Sequence, residues 1–473
     1  MAGIRFQSVF ARLCLLIALI GGASRIAVQL PTQRPGRPPT PTRLPKISSR
    51  VIVISLSGFG ADLANSEDAR LRIPTIRRMR REGAHAIGLE SVFPSQTGPA
   101  IASFLTGKLP ADHGVGADLE FDEATGLPVG RASAAAGRIK GDPLWDYVAR
   151  EGMTTAAVSF PLTEGAPIQF NLPDADAPST PSTLKQEALS WAEPKTASAL
   201  PPTLLPTPLK DRALAALLLK DAATVDAARY LLEKRAPHLL LLHLRSFASA
   251  QERFGLQSAE SLSVLEQLDR MIDQLIESSR RTGLHNESTF LLFSEAGAAR
   301  VDREFRPNVA LAKKGWFKTG ASWEAAVQSF GGSAAVYVRD ASNQKLLREV
   351  EGLFLKMHEE PDSPIWRIFS RREASKLGAD PRPAFYLDAA PGVVISGETG
   401  GSTIGKPTIR AASGYSPARA ETRATLLLFG RGVRPGAKIE YARLLDLAPT
   451  IARMLGIEMK AARGRVLTEA LAP

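Results

Sequence analysis

The sequence predicts an α/β fold, built on a mainly parallel β-sheet with helices on both faces. Three observations point there. Short, continuous apolar runs rich in β-branched residues recur along the chain, as expected of strands buried on both sides. Helix-favouring stretches separate several of them, and that alternation implies crossover connections. The residues that could carry chemistry follow the ends of apolar runs, where open sheets of this kind place their sites. The chain has 473 residues, of which 44% are hydrophobic, enough for one large domain or two ordinary ones.

The chain opens on an export signal. Arg5 and Arg12 supply positive charge, Leu13–Ile20 is an apolar core, and Gly21, Gly22 and Ala23 suit cleavage. Arg25 interrupts the apolar run short of the roughly 20 residues that a spanning helix needs. Residues 1–23 are therefore expected to be a signal peptide, with an uncleaved anchor as the alternative. The destination is periplasmic or extracellular. The only cysteine, Cys14, lies in this segment, so the exported chain relies on its core and not on disulfides. Residues 24–49 read as a Pro-rich basic linker (PTQRPGRPPTPTRLPKIS over Pro31–Ser48).

The folded domain is expected over residues 50–473. Val51–Leu56 reads as its first buried strand. Thr155–Ser159, His238–Leu244, Thr289–Phe293, Ala334–Val338 and Thr425–Phe429 read as further strands. Asp211–Arg235 is rich in Ala and Leu and favours helix. Leu262, Leu265, Leu268, Ile272, Leu275 and Ile276 follow helical spacing and mark a face packed into the core. Residues 172–209 are rich in Pro, Ala, Ser and Thr without a period, and read as a variable insertion. Arg70–Arg81 holds six arginines and reads as the solvated face of a helix starting near Pro74. The functional alternative there is an anion- or membrane-binding patch.

Lys and Arg total 59 against 48 Asp and Glu, a formal net charge of +11. That excess favours anionic envelope surfaces. Basic residues do not interleave with aromatics, so nucleic acid is not an expected partner.

Four segments stand out for their chemistry. They are Val51–Asp62 (VIVISLSGFGAD), Val92–Val115 (VFPSQTGPAIASFLTGKLPADHGV), Leu239–Gly255 with Thr289–Gly297 (TFLLFSEAG), and Ser413–Ala418 (SGYSPA). Together they resemble the type I phosphodiesterase/nucleotide pyrophosphatase family of the alkaline phosphatase superfamily. Arg306–Leu311 (RPNVAL), Gly430–Gly436 (GRGVRPG) and Asp446–Ile451 (DLAPTI) continue the resemblance in the same order. It covers nearly everything from Val51 onward except the Pro-rich insertion. It implies a three-layer αβα alkaline-phosphatase-like fold, a metal-dependent hydrolase, two zinc ions and a threonine nucleophile.

The resemblance puts Thr97 at the nucleophile position. Thr97 is also expected to begin a helix running to Leu105, whose free N–H groups and partial positive charge suit a phosphate. The plain alternative is that Thr97 is only an N-cap. Asp118 aligns with a phosphate-binding Asn, yet an ionised Asp accepts hydrogen bonds and cannot donate them.

The family's three Asp and three His metal ligands align with Ser57, Ala248, Glu252, Glu295, Ala296 and Ser413. No imidazole remains among them, and His113 reads as structural. Zinc favours nitrogen and sulfur. Oxygen-only sites need more ligands than one Glu and some hydroxyls. No metal cofactor is therefore expected. Without metals, clustered carboxylates in a partly dry cleft repel each other, and replacement by Ala and Ser relieves that strain.

The resulting expectation is an exported, catalytically inactive family member that binds a ligand or a protein partner. One alternative is an active phosphoric-ester hydrolase, in which Thr97 attacks and Glu295, Ser57 and Glu252 hold a single hard cation. Another is a structural envelope protein.

Overall fold

The computed structural model describes residues 45–130, 135–173, 211–318 and 322–473. The expected signal peptide, most of the linker and nearly all of the Pro-rich insertion lie outside these residues.

An eight-stranded sheet forms the centre. In chain order its strands are β1 (Arg50–Leu56), β2 (Ala84–Ala86), β3 (Thr155–Val158), β4 (Phe170–Leu172), β5 (Leu239–Leu244), β6 (Ser288–Phe293), β7 (Leu426–Gly430) and β8 (Lys438–Ile439). Their spatial order is β8-β2-β7-β6-β1-β5-β3-β4. β1 lies between β5 and β6 and is parallel to both, with Val51 opposite Leu239 and Thr289. The sheet continues parallel through β3 and β4. β7 runs antiparallel to both β6 and β2. The chain reaches β7 from a second sheet and not through a crossover helix, which frees it from the parallel rule.

Six helices recur below: α1 (Pro74–Glu82), α2 (Thr97–Thr106), α3 (Arg212–Arg235), α4 (Ser246–Phe254), α5 (Ala259–Arg281) and α6 (Leu447–Met454). Successive strand residues point to opposite faces. Val51, Val53, Leu239, Leu241, Leu291 and Phe293 pack with α2 and α6 on one side. Ile52, Ile54, Leu240, Leu242, Phe290 and Leu292 pack with α1, α3, α4 and α5 on the other. This is a three-layer αβα arrangement, and it explains why the strand segments are apolar at every position.

Asp211 caps α3 by accepting from the Leu214 N–H at 3.0 Å. In α5 the apolar stripe is buried from Leu265 to Ile276, while Leu262 is only partly covered. Two helix starts are capped by carboxylates from other helices. Asp269 of α5 accepts from the Thr75 and Ile76 N–H groups of α1, at 3.1 and 2.8 Å. Asp221 of α3 accepts from the Arg245 and Ser246 N–H groups and from Ser246 Oγ, at 3.0, 2.8 and 2.6 Å. Burial pushes both carboxyls up to about 6, against the pull of these hydrogen bonds.

The run Ala334–Val338 is a strand, but it does not join the central sheet. It lies in Ser333–Val338, within a separate antiparallel sheet containing Ala325–Ser329, Phe385–Ala389 and Ile365–Ser370. A short turn joins it to Ala325–Ser329, and a hairpin cannot supply a parallel crossover. This sheet has its own core. Phe93 reaches into it, with ring centroids 5.2 Å from Tyr386 and 5.4 Å from Phe369.

α1 begins at Pro74 as expected, burying Ile76 and Met79. Its arginines largely meet local acids: Arg78 pairs with Asp273 at 2.9 Å, Arg81 with Glu82, and Arg80 with Glu67. Just before β1, the Ile47 and Ser48 N–H groups donate to the Met454 carbonyl. Among the described residues no helix is long and apolar enough to cross a membrane.

Candidate functional site

The three central strands end together. Leu56 of β1 faces Leu244 of β5, and Ser55 faces Phe293 of β6. Ser57 follows β1 directly, Glu295 and Ala296 follow β6, and α4 starts just after β5, carrying Ala248, Gln251 and Glu252. Thr97 opens α2. Ser413 follows the short strand Ala411–Ala412, which pairs with Ala299–Phe305. These elements enclose a cavity of about 280 Å³. Its lining includes Thr97, Asp118 and all six positions aligned with metal ligands: Ser57, Ala248, Glu252, Glu295, Ala296 and Ser413. Residues far apart in the chain therefore line one cavity.

Gly58 allows this closeness. Its φ is +77°, and a Cβ there would lie 3.0 Å from the Ala248 Cα and from Gln251 Oε1. Only glycine takes that backbone conformation without strain while letting α4 pack against the end of β1.

Glu295 is buried, 2% exposed. Its Oε1 accepts from Ser57 Oγ at 2.7 Å and from Thr97 Oγ1 at 3.4 Å. Its Oε2 accepts from Ser55 Oγ at 3.4 Å, and Ser55 Oγ lies 3.0 Å from His243 Nδ1. Burial raises the carboxyl's pKa, and the hydroxyl partners oppose that. Glu252 stands at the rim with an exposed side chain. The cleft wall still raises its pKa by desolvation, with the Arg245 charge opposing. The two remaining glutamates thus sit at different depths.

Thr97 is not an N-cap. It is the first helical residue; Gln96 holds the cap position, and its own side chain does not cap the helix. The Thr97 hydroxyl points to Glu295 instead. The Asp118 carboxylate accepts from the Gly98 N–H at 2.6 Å, and the Asp118 N–H donates to Gln96 Oε1 at 3.1 Å. An acidic side chain thus sits on the start of α2, the same device that secures α1 and α4.

Gln251 was not singled out in the sequence. It is 2% exposed and lines the cavity, and its buried Oε1 accepts no hydrogen bond. Its place beside Glu252 in the Phe247–Gly255 segment was the only available signal. The histidines stay outside the cavity lining. His113 is buried and pushed down to about 3 by desolvation. Its Nδ1 accepts from the Val115 N–H at 3.2 Å, and its Nε2 meets Ser103 Oγ at 2.8 Å.

The family model described as type I phosphodiesterase / nucleotide pyrophosphatase matches residues 51–416. The chain belongs to this family. An uncharacterized pyrophosphatase/phosphodiesterase of Schizosaccharomyces pombe is 25% identical over 256 residues, covering 53% of this chain and 45% of that protein. Venom phosphodiesterase 2 of Crotalus adamanteus is 22% identical, covering 54% of this chain and 27% of that protein. Human ectonucleotide pyrophosphatase/phosphodiesterase family member 1 is 22% identical, covering 52% and 23%. Each match spans less than half the relative's length. Among solved structures, an inactive variant of murine ectonucleotide pyrophosphatase/phosphodiesterase 5, in complex with AMP, superposes with a TM-score of 0.64 at 16% identity. That superposition covers 90% of this chain and 100% of that one. The human form of the same protein gives the same figures. The fold is therefore alkaline-phosphatase-like.

The family's two zinc ions can be tested against the donors present. The cavity offers the carboxylates of Glu295, Glu252 and Asp118, with hydroxyls and amides, but neither imidazole nor thiolate. Among the described residues, no three His, Cys, Asp or Glu side chains gather closely enough to hold a metal ion. This set does not fit a pair of zinc ions.

Proposed function

We propose that the chain is a non-catalytic family member that holds a ligand or protein partner in the cavity at the carboxyl edge of the central sheet. The observation that carries this reading is the composition of that cavity. The six positions that the sequence resemblance aligns with family ligands all line it, and they read Ser57, Ala248, Glu252, Glu295, Ala296 and Ser413. Family chemistry relies on metal ions to activate the hydroxyl and stabilise charge. The helix start that suits a phosphate is taken by Asp118. The relatives include venom and ectonucleotide enzymes, which supports an exported location, as does the apolar segment Leu13–Ile20. The single-domain organisation over residues 50–473 belongs to the same proposal.

The test is metal analysis of the purified protein, together with hydrolysis of bis(p-nitrophenyl) phosphate in added zinc. Less than one zinc per chain and no zinc-dependent turnover are expected. Two tightly held zinc ions with turnover would end the reading.

One observation favours a second reading. Thr97 Oγ1 lies 3.4 Å from Glu295 Oε1, so the nucleophile position still touches a carboxylate. Under that reading a single hard cation supports hydrolysis, and Thr97→Ala abolishes an activity seen with Mg²⁺, Ca²⁺ or Mn²⁺. A spacer role in the envelope fits less well with a retained cavity of this size.

A further inference from the structure

We propose that the edge of the central sheet where its parallel strands begin is a docking face for an anionic phospholipid surface. The cavity lies at the opposite edge, so this inference does not depend on what the cavity holds.

The first argument is the charge gathered there. α1, α3 and α5 end at this edge, leading into β2, β5 and β6, and each carries two cations in its last turn. The helix dipole favours such residues. Several of them meet acids: Arg80 pairs with Glu67, Arg280 with Glu277 and Arg281 with Glu233. The dipole does not account for Lys46, which precedes β1, or for Arg431 and Arg434, which lie on the turn from β7 to β8. These three and Lys234 are exposed, and none of them meets a carboxylate among the described residues. Lys46 Nζ reaches only the Met153 sulfur, at 3.5 Å. β7, β6, β1 and β5 are neighbours, so the surplus charge spans about 15 Å at ordinary strand spacing.

The second argument is the field these cations set up. His85, His238 and His285 lie at or just before the starts of β2, β5 and β6. Each is held below the ordinary histidine range, by burial first and then by cations of this edge. Arg80 and Lys438 act on His85, and Lys46 and Arg50 act on His238. Arg280 and Arg78 act on His285, where Glu277 opposes them. The nearby acids therefore do not cancel the positive charge.

The third argument is shape and chain direction. A groove of about 550 Å³ lies at this edge, lined by Arg77, Arg80, Arg81 and His85 together with Glu67 and Gly436. It offers guanidinium groups to a phosphate-bearing headgroup. The chain enters the domain at the same edge, through Ile47 and Ser48. The residues that lead there from the apolar segment Leu13–Ile20 are basic as well. A bilayer, unlike one small anion, meets cations spread over several strands at once, and each exposed Lys or Arg adds to the attraction.

The experiment mixes the purified full chain with vesicles of phosphatidylcholine, alone or mixed with phosphatidylglycerol, and reads binding by sedimentation. Binding to the mixed vesicles is expected to be at least about tenfold tighter than to phosphatidylcholine. It should be lost as salt rises from about 0.1 M to about 1 M and screening shortens. Lys234→Gln and Arg434→Gln should each weaken it about fivefold. Both side chains are exposed, so the fold should survive, as melting curves would show. Lys345→Gln with Arg372→Gln removes equal charge from exposed positions near the antiparallel sheet and should leave binding unchanged. Equal binding to both kinds of vesicle would overturn the inference, because an inserted apolar segment would then explain it. An equal loss in the control pair would overturn it in favour of net charge alone. Binding to polyaspartate or duplex DNA as tight as to the acidic vesicles would overturn it in favour of a soluble polymer.

Discussion

Glu295 and His113 show burial acting on two charges of opposite sign. Burial raises the Glu295 carboxyl, so its ionisation opposes folding. Stability linked to it is fully present at low pH and is lost as pH rises through the raised value. Glu295→Gln should therefore melt higher than the parent near pH 8, by about 1–3 kcal/mol. The difference should close as pH falls below the ordinary carboxylate range, in melting curves recorded across pH. His113 has the opposite sign. Its ring is held down to about 3, so the unfolded chain takes up a proton that the folded ring refuses. Stability linked to His113 is present above about pH 6.5 and falls as pH drops, by about 2 kcal/mol at pH 5. Denaturant titrations of His113→Gln should show a flatter slope between pH 6.5 and 5 than the parent. Thr97 and the six aligned positions could be named from the sequence because each lies in a short segment that follows a strand or opens a helix, whereas Asp118 lies in a loop and was named only through the resemblance. Gln251 was not, because an unmet acceptor exists only once its surroundings are assembled.

Among the elements, α4 matters most, because it carries Ala248, Gln251 and Glu252 into the cavity. Its start is secured by Asp221 from α3, 25 residues earlier in the chain. Asp221→Ala would leave the Arg245 and Ser246 N–H groups unmet, at a cost of about 1–3 kcal/mol in denaturant unfolding. The same variant should weaken ligand binding, because the helix loses its anchor beside Gly58. Asp269 secures α1 from nearly two hundred residues away. Sequence spacing reveals a local cap such as Asp211, but not carboxylates that arrive from another helix. The antiparallel sheet escaped for a related reason. A short apolar run has the same appearance in a parallel sheet as in an antiparallel one. Only the brief connection from Ser329 to Ser333 distinguishes the two.

At the level of the whole molecule, the proposal separates a framework that gathers six aligned positions in one cavity from the side chains now at those positions. That separation can be tested by restoring the family's ligands. A variant carrying Ser57→Asp, Ala248→Asp, Glu252→His, Glu295→Asp, Ala296→His and Ser413→His should bind zinc, read by metal analysis after dialysis. Adding Asp118→Asn removes the carboxylate from the start of α2, and phosphodiester turnover should appear only in that combined variant. Zinc binding by the parent chain at the same level would contradict the prediction. The three-layer architecture was readable because buried strands are apolar at every position and helices intervene between them. The family match begins at residue 51, where the first buried run begins, and ends at residue 416, before the runs Thr425–Phe429 and Asp446–Ile451.

The docking of Ile47 and Ser48 onto Met454 sets a direction. These residues lead into β1 at the amino edge of the sheet, whereas the cavity lies at the carboxyl edge, one strand of seven residues away. That is roughly 20 Å of extended chain. Immobilising the protein through its N-terminal side on a sensor chip would leave the binding edge clear of the support, and a fusion partner placed there would not crowd it.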